Sequence, residues 1–398
     1  MKVRHFLSAL LIFGTTSLSF AGDVLPGIDV LARDEFRPLA GARVALITNH
    51  TGLSRNGQST IRLLHDAPGV KLVRIFSPEH GLEGKLDIPR IDDGADGETG
   101  IPVISLYGEL RRPTAATLAG IDTIVFDIQD IGTRFYTYIS TMGNAMIAAA
   151  EHDVRFVVLD RPNPINGIDV AGPVLDDGLQ SFVGFHPMPV RHGMTVGELA
   201  LLFRAELALD LDLQVVRAEG WRREQFFDDT GLAWVDPSPN MRSLRAALLY
   251  PGVGLLETTN VSVGRGTDTP FELLGAPWID AASLAASLNA LPLDGIAFAA
   301  TTFTPDASTY VGQYCEGVRI TITDRTRLRP LAVGFAIAEL LLRDYGEAWE
   351  TQRYMRLLGN AATLAALLNG KTSKEIEAVY RPELDAFIAR RARFLLYD

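Results

Sequence analysis

The chain has 398 residues, 47% of them hydrophobic, and a formal net charge of −11 at pH 7. That length is enough for two domains with extensive cores, and the acidic surplus argues against nucleic acid or an anionic membrane as the main partner. The single cysteine, Cys315, excludes an intramolecular disulfide, so the fold must be stabilised by its core.

The N-terminus has the pattern of a signal peptide. Lys2 and Arg4 precede an apolar run at residues 6–13, and a small-x-small pattern ends at Ala21. The apolar run is too short to span a bilayer. We therefore expect cleavage after Ala21 and export to the periplasm, or secretion from a cell with one membrane, without stable membrane association afterwards. Cleavage would change the net charge to −13, from 35 basic and 48 acidic residues.

The first half of the mature chain alternates apolar runs with helix-like segments. The runs lack polar alternation, which predicts strands buried on both faces of a sheet, at residues 42–48, 72–76, 103–106, 123–128 and 155–159. The intervening segments predict helices at residues 59–65, 114–119 and 138–151. This order is typical of a parallel, doubly wound sheet. No G-x-G-x-x-G follows the first strand, so we do not expect a bound dinucleotide.

The second half predicts a mixed α+β domain. The segment PMPV at residues 187–190 indicates a boundary, which divides the mature chain into residues 22–190 and 191–398. Beyond it, the sequence predicts strands and helices in mixed order, with strands at 213–217, 296–301 and 318–323 and helices at 281–289 and 331–344. Residues 221–270 show little periodicity, which is typical of binding loops or a lid.

Polar and ionisable side chains follow four of the predicted strands. The carboxyl ends of parallel strands lie along one edge of an open sheet, where ligands bind. The sequence therefore predicts a site at this edge, with candidates at Asn49, His50, Glu79, His80, Asp127, Asp130, Arg134, Tyr136, Arg161 and Asn163.

The second half adds its own polar stretches. The glycines of the run at residues 250–267 permit tight turns, and the planar guanidinium of Arg265 suits a carboxylate. Further candidates come from RHGMT, PSPNM, LLETTNVSVGRGT and PFE, namely His192, Asn240, Glu257, Asn260 and Glu272.

Three functions are compatible with these residues. Paired carboxylates near arginine, asparagine and aromatic side chains suit glycoside hydrolysis. His50, Glu79, His80, Asp127 and Asp130 would instead suit a metal-dependent hydrolase if they converged. The third is an exported solute-binding protein without catalysis.

The motifs SPEHG, DIQDIGTRFYTY, DRPNP, RHGMTVGEL, PSPNM, LLETTNVSVGRGT and PFE-GAPW stand in this order along the chain. Together they are similar to those of the exo-β-N-acetylmuramidases of NamZ type, a glycoside hydrolase family long described as a domain of unknown function. The resemblance covers essentially the whole mature chain. It implies a Rossmann-like N-terminal domain without a nucleotide, a smaller mixed α+β C-terminal domain, and a cleft between them. It also implies release of terminal N-acetylmuramic acid from the non-reducing end of peptidoglycan fragments, with no cofactor and no metal.

The resemblance further implies roles for single residues. Glu79 matches the position of the general acid, and the adjacent His80 would tune it or hold its loop. The second catalytic group is a carboxylate nucleophile, a base that activates water, or the substrate's own acetamido oxygen. Asp127 is the expected partner, with Glu257 and Glu272 as alternatives.

N-acetylmuramic acid carries a lactyl carboxylate, so an acidic enzyme needs a local cation to bind it. Arg265 is the expected cation, and Arg134, Arg161 and Arg191 are alternatives. The remaining candidates would contact hydroxyl or amide groups of the saccharide.

Overall fold

The architecture is that of a computed structural model, which describes residues 24–398. The signal peptide expected at residues 1–21 lies outside the described residues. Between residues 24 and 398, no helix combines the length and the apolarity that crossing a membrane requires.

Strands and helices alternate through most of the described chain. In chain order, the strands are β1 (Arg43–Thr48), β2 (Lys71–Ser77), β3 (Gly94–Ala95), β4 (Pro102–Ser105), β5 (Thr123–Asp127), β6 (Arg155–Leu159), β7 (Ala171–Val174), β8 (Pro189–Arg191), β9 (Leu213–Val216), β10 (Leu273–Ala276), β11 (Ile296–Phe303) and β12 (Cys315–Ile322). The α-helices are α1 (Gly27–Arg33), α2 (Thr60–Asp66), α3 (Ala115–Leu118), α4 (Tyr138–Glu151), α5 (Val196–Glu206), α6 (Leu244–Val253), α7 (Ala281–Asn289), α8 (Pro330–Tyr345), α9 (Met355–Leu358), α10 (Ala361–Leu368) and α11 (Ser373–Arg391).

The larger sheet has seven strands in the order β3-β4-β2-β1-β5-β6-β9. All neighbours pair in parallel except β3 and β4. Without the short edge strand β3, the remaining strands follow the order 3-2-1-4-5-6 of the Rossmann fold. The expected fold class is therefore confirmed.

Both faces of this sheet are covered, which explains the continuous apolar runs. Along β5, Ile124 and Phe126 belong to the core cluster that includes α4 and α5, whereas Val125 belongs to the cluster that includes α1 and α2. Successive side chains of a strand point to opposite faces. Because both faces are buried, the middle positions of the strand are apolar on both faces.

The smaller sheet is antiparallel, with the order β10-β12-β11. Helix α7 packs against it and α8 packs on α7, and its buried cysteine, Cys315, is free. The expected second unit is thus present as a mixed α+β arrangement.

The boundary expected at residue 190 divides a unit that the structure keeps together. Helix α5 packs on α4 and β6, and β9 is the edge strand of the seven-stranded sheet. The stretch at residues 221–270 is also less irregular than expected, because α6 forms inside it and is almost wholly buried. Burial by tertiary packing, which local periodicity does not report, accounts for both differences.

Candidate active site

A concave pocket of about 330 Å³ lies between the carboxyl edge of the large sheet and the second half of the chain. The first half contributes Glu79, His80 and Asp87. The second half contributes charged and polar groups at Ser238, Asn240, Glu257, Arg265, Arg353 and Arg356. Pockets of this size are typical of small-molecule sites.

Glu79 is held at the wall of this pocket by its position in the fold. It comes two residues after β2 ends, and its Oε2 accepts a hydrogen bond from the hydroxyl of Thr137. Thr137 is the residue directly before α4. The carboxyl group therefore lies beside the N-terminus of α4.

Tyr107 is a second neighbour of Glu79. It follows β4, the neighbour of β2 in the sheet, so the ends of two adjacent strands bring the side chains together. Burial, together with the nearby carboxylate of Glu79, raises the pKa of Tyr107 to about 12. Its hydroxyl therefore keeps its proton at neutral pH.

A chain of charged and polar groups forms the rim of the pocket. Arg265 binds both Glu257 and Asp87 through its two terminal nitrogens, and Asn240 donates to Asp87 at 3.1 Å. These residues come from three separate segments, so the rim joins the loop after β2 to the second half of the chain. The guanidinium of Arg265 is only 24% exposed.

Glu257 is the second carboxylate of the pocket. Burial raises the pKa of Glu257 above its ordinary value, the ion pair with Arg265 opposes that rise, and the charges of Asp87 and Glu79 add to it. Asp87 differs, because the effect of burial on its pKa is outweighed by Arg265 and its other partners, which lower it.

The turn that presents Arg265 needs its two glycines. Gly264 and Gly266 have φ angles of 81° and 78°, in the left-handed region that glycine adopts without steric cost. A Cβ on Gly266 would also lie 2.4 Å from the backbone nitrogen of Ala307. The GRGT motif is therefore a requirement of backbone geometry beside the pocket.

Aromatic side chains form the floor. Tyr136 stacks edge-on against Tyr138 and Tyr250, and Phe271 packs on Tyr250. Tyr136 is 7% exposed, and its hydroxyl has no well-formed hydrogen bond within residues 24–398. Burial raises its pKa well above the ordinary value. Its hydroxyl thus remains a donor in a position that lines the pocket.

The comparisons with known proteins agree with this geometry. A model of the N-terminal domain of the exo-β-N-acetylmuramidase NamZ matches residues 44–245, and a model of its C-terminal domain matches residues 248–397. The chain belongs to the NamZ family. Its similarity to the peptidoglycan β-N-acetylmuramidase NamZ of Bacillus subtilis (strain 168) is 42% identity over 98% of both chains. The resemblance found in the motifs is confirmed.

Two crystal structures of DUF1343 family proteins from Bacteroides fragilis NCTC 9343 are also similar. One has a TM-score of 0.88 and 36% identity, and the other has a TM-score of 0.77 and 30% identity. Each match covers 94% of this chain and 99% of the other protein. The family models divide the chain between residues 245 and 248, well beyond residue 190.

Of the candidate residues that the sequence provides, the structure brings a subset together in the pocket of this NamZ family member. Those that line it are Glu79, His80, Tyr136, Asn240, Glu257 and Arg265. His80 lines the wall, and its Nδ1 lies 2.8 Å from the carbonyl oxygen of Leu86, so it also holds its own loop.

Asp127, the expected partner of Glu79, is not at the pocket. Its carboxylate is fully buried and makes a two-pronged ion pair with Arg161, at 2.5 and 2.9 Å. Thr60 also donates to it, and Arg161 donates to the carbonyl oxygen of Leu53 at 2.8 Å. Both oxygens of Asp127 are thus bound inside the protein, and Arg161 lines a second, smaller pocket that does not contain Glu79.

The loop after β1 is likewise closed by internal contacts. The Oδ1 of Asn49 accepts from the backbone and the hydroxyl of Thr51, at 2.9 and 2.6 Å. The Nε2 of His50 lies 2.7 Å from the carbonyl oxygen of Asp236. Both residues fill the crevice at the switch point of the sheet and are absent from the pocket lining.

Asp130, Asn163 and His192 form a buried group below the pocket. Asp130 accepts from the backbone of Gly132 at 2.7 Å, and His192 lies 3.6 Å from Asp130. Asn163 donates to the carbonyl oxygen of Met194 at 3.0 Å. None of the three lines the pocket, because their side chains join loops to one another.

Three further candidates from the sequence also hold the fold together away from the pocket lining. Arg191 binds the carbonyl oxygen of Ile165 and pairs with Asp169. Glu272 accepts from Ser243 and Arg245, at 2.8 and 2.9 Å, next to the start of α6. Arg134 is fully buried, and burial lowers its pKa to about 9.

The structure adds pocket residues that the sequence reasoning missed. Among them are Asp87, Tyr138, Tyr250, Arg353 and Arg356. Arg353 and Arg356 lie in the segment TQRYMRLL, outside every motif that marked the family. A lone pair of arginines three residues apart gives no sequence signal that separates them from solvated surface charge.

A metal-dependent hydrolase is the second function that the sequence leaves open. Among the residues that the structure describes, no group of three or more histidine, cysteine, aspartate or glutamate side chains is arranged to hold a metal ion.

Proposed function

We propose that this chain is an exo-acting glycoside hydrolase that releases terminal N-acetylmuramic acid from the non-reducing end of peptidoglycan fragments. The observation that supports it most directly is the placement of Glu79. Its carboxyl group lies in a concave pocket beside a second carboxylate, Glu257, on the fold of the NamZ family. The name of the Bacillus subtilis relative gives the substrate and the bond.

Glu79 is the general acid of the proposed reaction. The glycosidic oxygen leaves as an alkoxide unless it receives a proton, and a positioned carboxylic acid supplies that proton in the transition state. The hydroxyl of Thr137 holds the carboxyl group by a hydrogen bond. This fixed orientation reduces the entropy lost when the substrate and the acid must align.

Glu257 is the second carboxylate. Positive charge develops on the sugar ring as the bond breaks, and the ion pair with Arg265 opposes the rise that burial causes in the pKa of Glu257. The substrate's acetamido oxygen is the alternative group at the anomeric carbon. In that case the free hydroxyl of Tyr136 is placed to donate to the substrate's amide.

The proposed compartment follows from the signal-like N-terminus. Export to the periplasm, or secretion, would place the enzyme where peptidoglycan fragments arise. Detection of the mature chain in the periplasmic or culture fraction, with its N-terminus near Gly22, tests this expectation.

The decisive experiment incubates purified protein with defined peptidoglycan disaccharides that have N-acetylmuramic acid at the non-reducing end. Release of that sugar, without added metal and with chelator present, is the expected result. The disaccharide with the reversed sugar order, with N-acetylglucosamine at the non-reducing end, is the matched control and should be cleaved much more slowly.

Two outcomes would replace the proposal. Activity that disappears with chelator and returns with one cation would indicate the metal-dependent hydrolase. Saturable binding of muropeptides without any product would indicate the solute-binding protein.

A further inference from the structure

We infer that Arg353 and Arg356 form the anion-binding subsite of this pocket and receive the lactyl carboxylate of the sugar to be released. The inference rests on the proposed function and adds the residues that decide its substrate specificity. It replaces the expectation that Arg265 performs this role.

Arg265 is already engaged by the protein. Its two terminal nitrogens bind Glu257 and Asp87, so two carboxylates share one guanidinium. A third carboxylate from the substrate would have to displace one of them and leave it without its partner. Such a displacement costs free energy, because a partly buried charge that loses its partner is poorly solvated.

Arg353 and Arg356, in contrast to Arg265, are not bound by other side chains in the part of the chain that the structure describes. Both line the pocket that contains Glu79, and both are exposed. Within residues 24–398, neither guanidinium makes an ion pair or a hydrogen bond. Their donors are therefore available to a ligand, and a guanidinium binds a carboxylate with two parallel hydrogen bonds.

The charge of the pocket also favours a role for Arg353 and Arg356 in binding the substrate. Asp87 and Glu257 line the pocket, and the single charge of Arg265 compensates for only one of these two carboxylates. An anionic sugar would meet a repulsive field in a pocket built from these three groups alone. Arg353 and Arg356 supply the positive charge that an anionic substrate needs.

The segment that carries the two arginines is fixed on its N-terminal side. Thr258 donates to the carbonyl oxygen of Arg353 at 2.8 Å. Asn260 donates to the carbonyl oxygen of Ala348 at 2.8 Å and accepts from the backbone of Glu350 at 2.7 Å. Asn260, which the sequence suggested as a sugar contact, therefore positions the loop that bears Arg353.

The same segment is fixed on its C-terminal side by Arg134. This buried guanidinium donates to the carbonyl oxygens of Leu357 and Leu358, both at 2.7 Å, at the end of α9. It also binds the carbonyl oxygens of Pro173 and Met188. The two free arginines thus project from a backbone held at both ends, which reduces the entropy lost on binding a ligand.

The predicted consequence is selectivity for a free lactyl carboxylate. Charge-assisted hydrogen bonds of this kind contribute about 1.5 to 3 kcal/mol, which corresponds to roughly 10- to 150-fold in kcat/KM. A substrate with that carboxylate methyl-esterified, or with the lactyl group missing, should lose about this much. Added salt should raise KM for the free acid more than for the ester.

The test compares wild type with Arg353→Ala, Arg356→Ala and the double variant on two substrates. These are β-linked N-acetylmuramic acid with a chromogenic leaving group and its lactyl methyl ester. Arg204→Ala is the control, because Arg204 is exposed on α5, away from the pocket, and its replacement removes the same charge. Arg353→Lys and Arg356→Lys test whether a point charge suffices.

The double variant should lose about 10- to 150-fold in kcat/KM on the free acid and little on the ester. Its preference for the free acid over the ester should therefore disappear, whereas wild type and Arg204→Ala should keep that preference. Equal losses on both substrates, or unchanged discrimination in the double variant, would overturn the inference. If wild type hydrolyses neither substrate, the proposed function itself has failed, which is a distinguishable result.

Discussion

Two pairs of carboxylate and guanidinium groups in this protein have the same chemistry and opposite surroundings. Asp127 and Arg161 are 0% and 6% exposed, and each has further partners inside the protein. Glu257 and Arg265 are 19% and 24% exposed and lie on the wall of a pocket. The first pair joins loops at the edge of the sheet, whereas the second faces the space that a substrate would occupy.

The difference shows that an ion pair alone does not identify an active site. In the first pair, the sealed pair, both oxygens of Asp127 have partners inside the protein. Its arginine, Arg161, lines a separate, smaller pocket and not the one that contains Glu79. The second pair, Glu257 and Arg265, is the open pair. It lies beside groups that the protein leaves available, such as the hydroxyl of Tyr136 and the guanidinium groups of Arg353 and Arg356. Unused hydrogen-bonding capacity at a cavity is the better sign of function.

The largest effect on activity is expected for Glu79→Gln, which keeps the size of the side chain and removes the acid. Turnover on an unactivated saccharide should fall about 10²- to 10⁴-fold, because proton transfer to the leaving oxygen contributes about that much. Thermal unfolding and circular dichroism should match wild type. The control is Glu83→Gln in the same loop, an exposed residue outside the pocket lining.

A chromogenic substrate with a good leaving group sharpens this result. Its leaving oxygen needs little protonation, so the deficit of Glu79→Gln should shrink. An undiminished rate for the variant on the natural saccharide would remove Glu79 from the mechanism.

The largest effect on stability is expected for the sealed pair. Asp127→Ala leaves Arg161 buried without its counter-ion, which should cost about 3 to 5 kcal/mol in the free energy of unfolding. Denaturant titration measures that cost, and the double variant with Arg161→Ala should be less destabilised than the sum of the singles. Specific activity of the folded fraction should be retained. A stable Asp127→Ala protein without activity would instead restore the catalytic role first expected for this residue.

The open pair, Glu257 and Arg265, should influence the pH dependence of kcat/KM. Arg265→Gln removes the cation that opposes the rise in the pKa of Glu257, so this pKa should increase further. If Glu257 acts as the anion, more of it is protonated at a given acidic pH. The acidic limb of the kcat/KM profile should then move to higher pH. The same limb in Arg204→Ala should not move.

The smallest effect is expected for an exposed pair. Arg62 and Asp66 lie one turn apart on α2, and their side chains are 53% and 52% exposed. Arg62→Ala should change the free energy of unfolding by only about 0.3 to 0.5 kcal/mol. A loss comparable with that of Asp127→Ala would contradict the ranking by burial.

Much of the fold was predictable because its signals are local. The run RFVVL predicted β6 at residues 155–159, and the segment at 138–151 predicted α4, with the boundaries observed. Helix α6 was missed because it is buried on nearly all sides, so its sequence lacks a polar face to mark the helical period. The boundary expected at residue 190 precedes the edge strand β9, which joins the sheet through tertiary pairing that the local sequence does not show.

The sequence by itself determined the family, the doubly wound sheet and the polar residues at its edge. These depend on short-range patterns such as SPEHG and continuous apolar runs, which a single chain displays without being folded. Only the tertiary structure decided which polar groups remain available. Asp127 meets Arg161 across 34 residues, whereas Glu79 and Arg356 reach one pocket from distant parts of the chain. Which side chains become partners depends on which residues meet in the folded protein, and spacing along the chain carries no information about that.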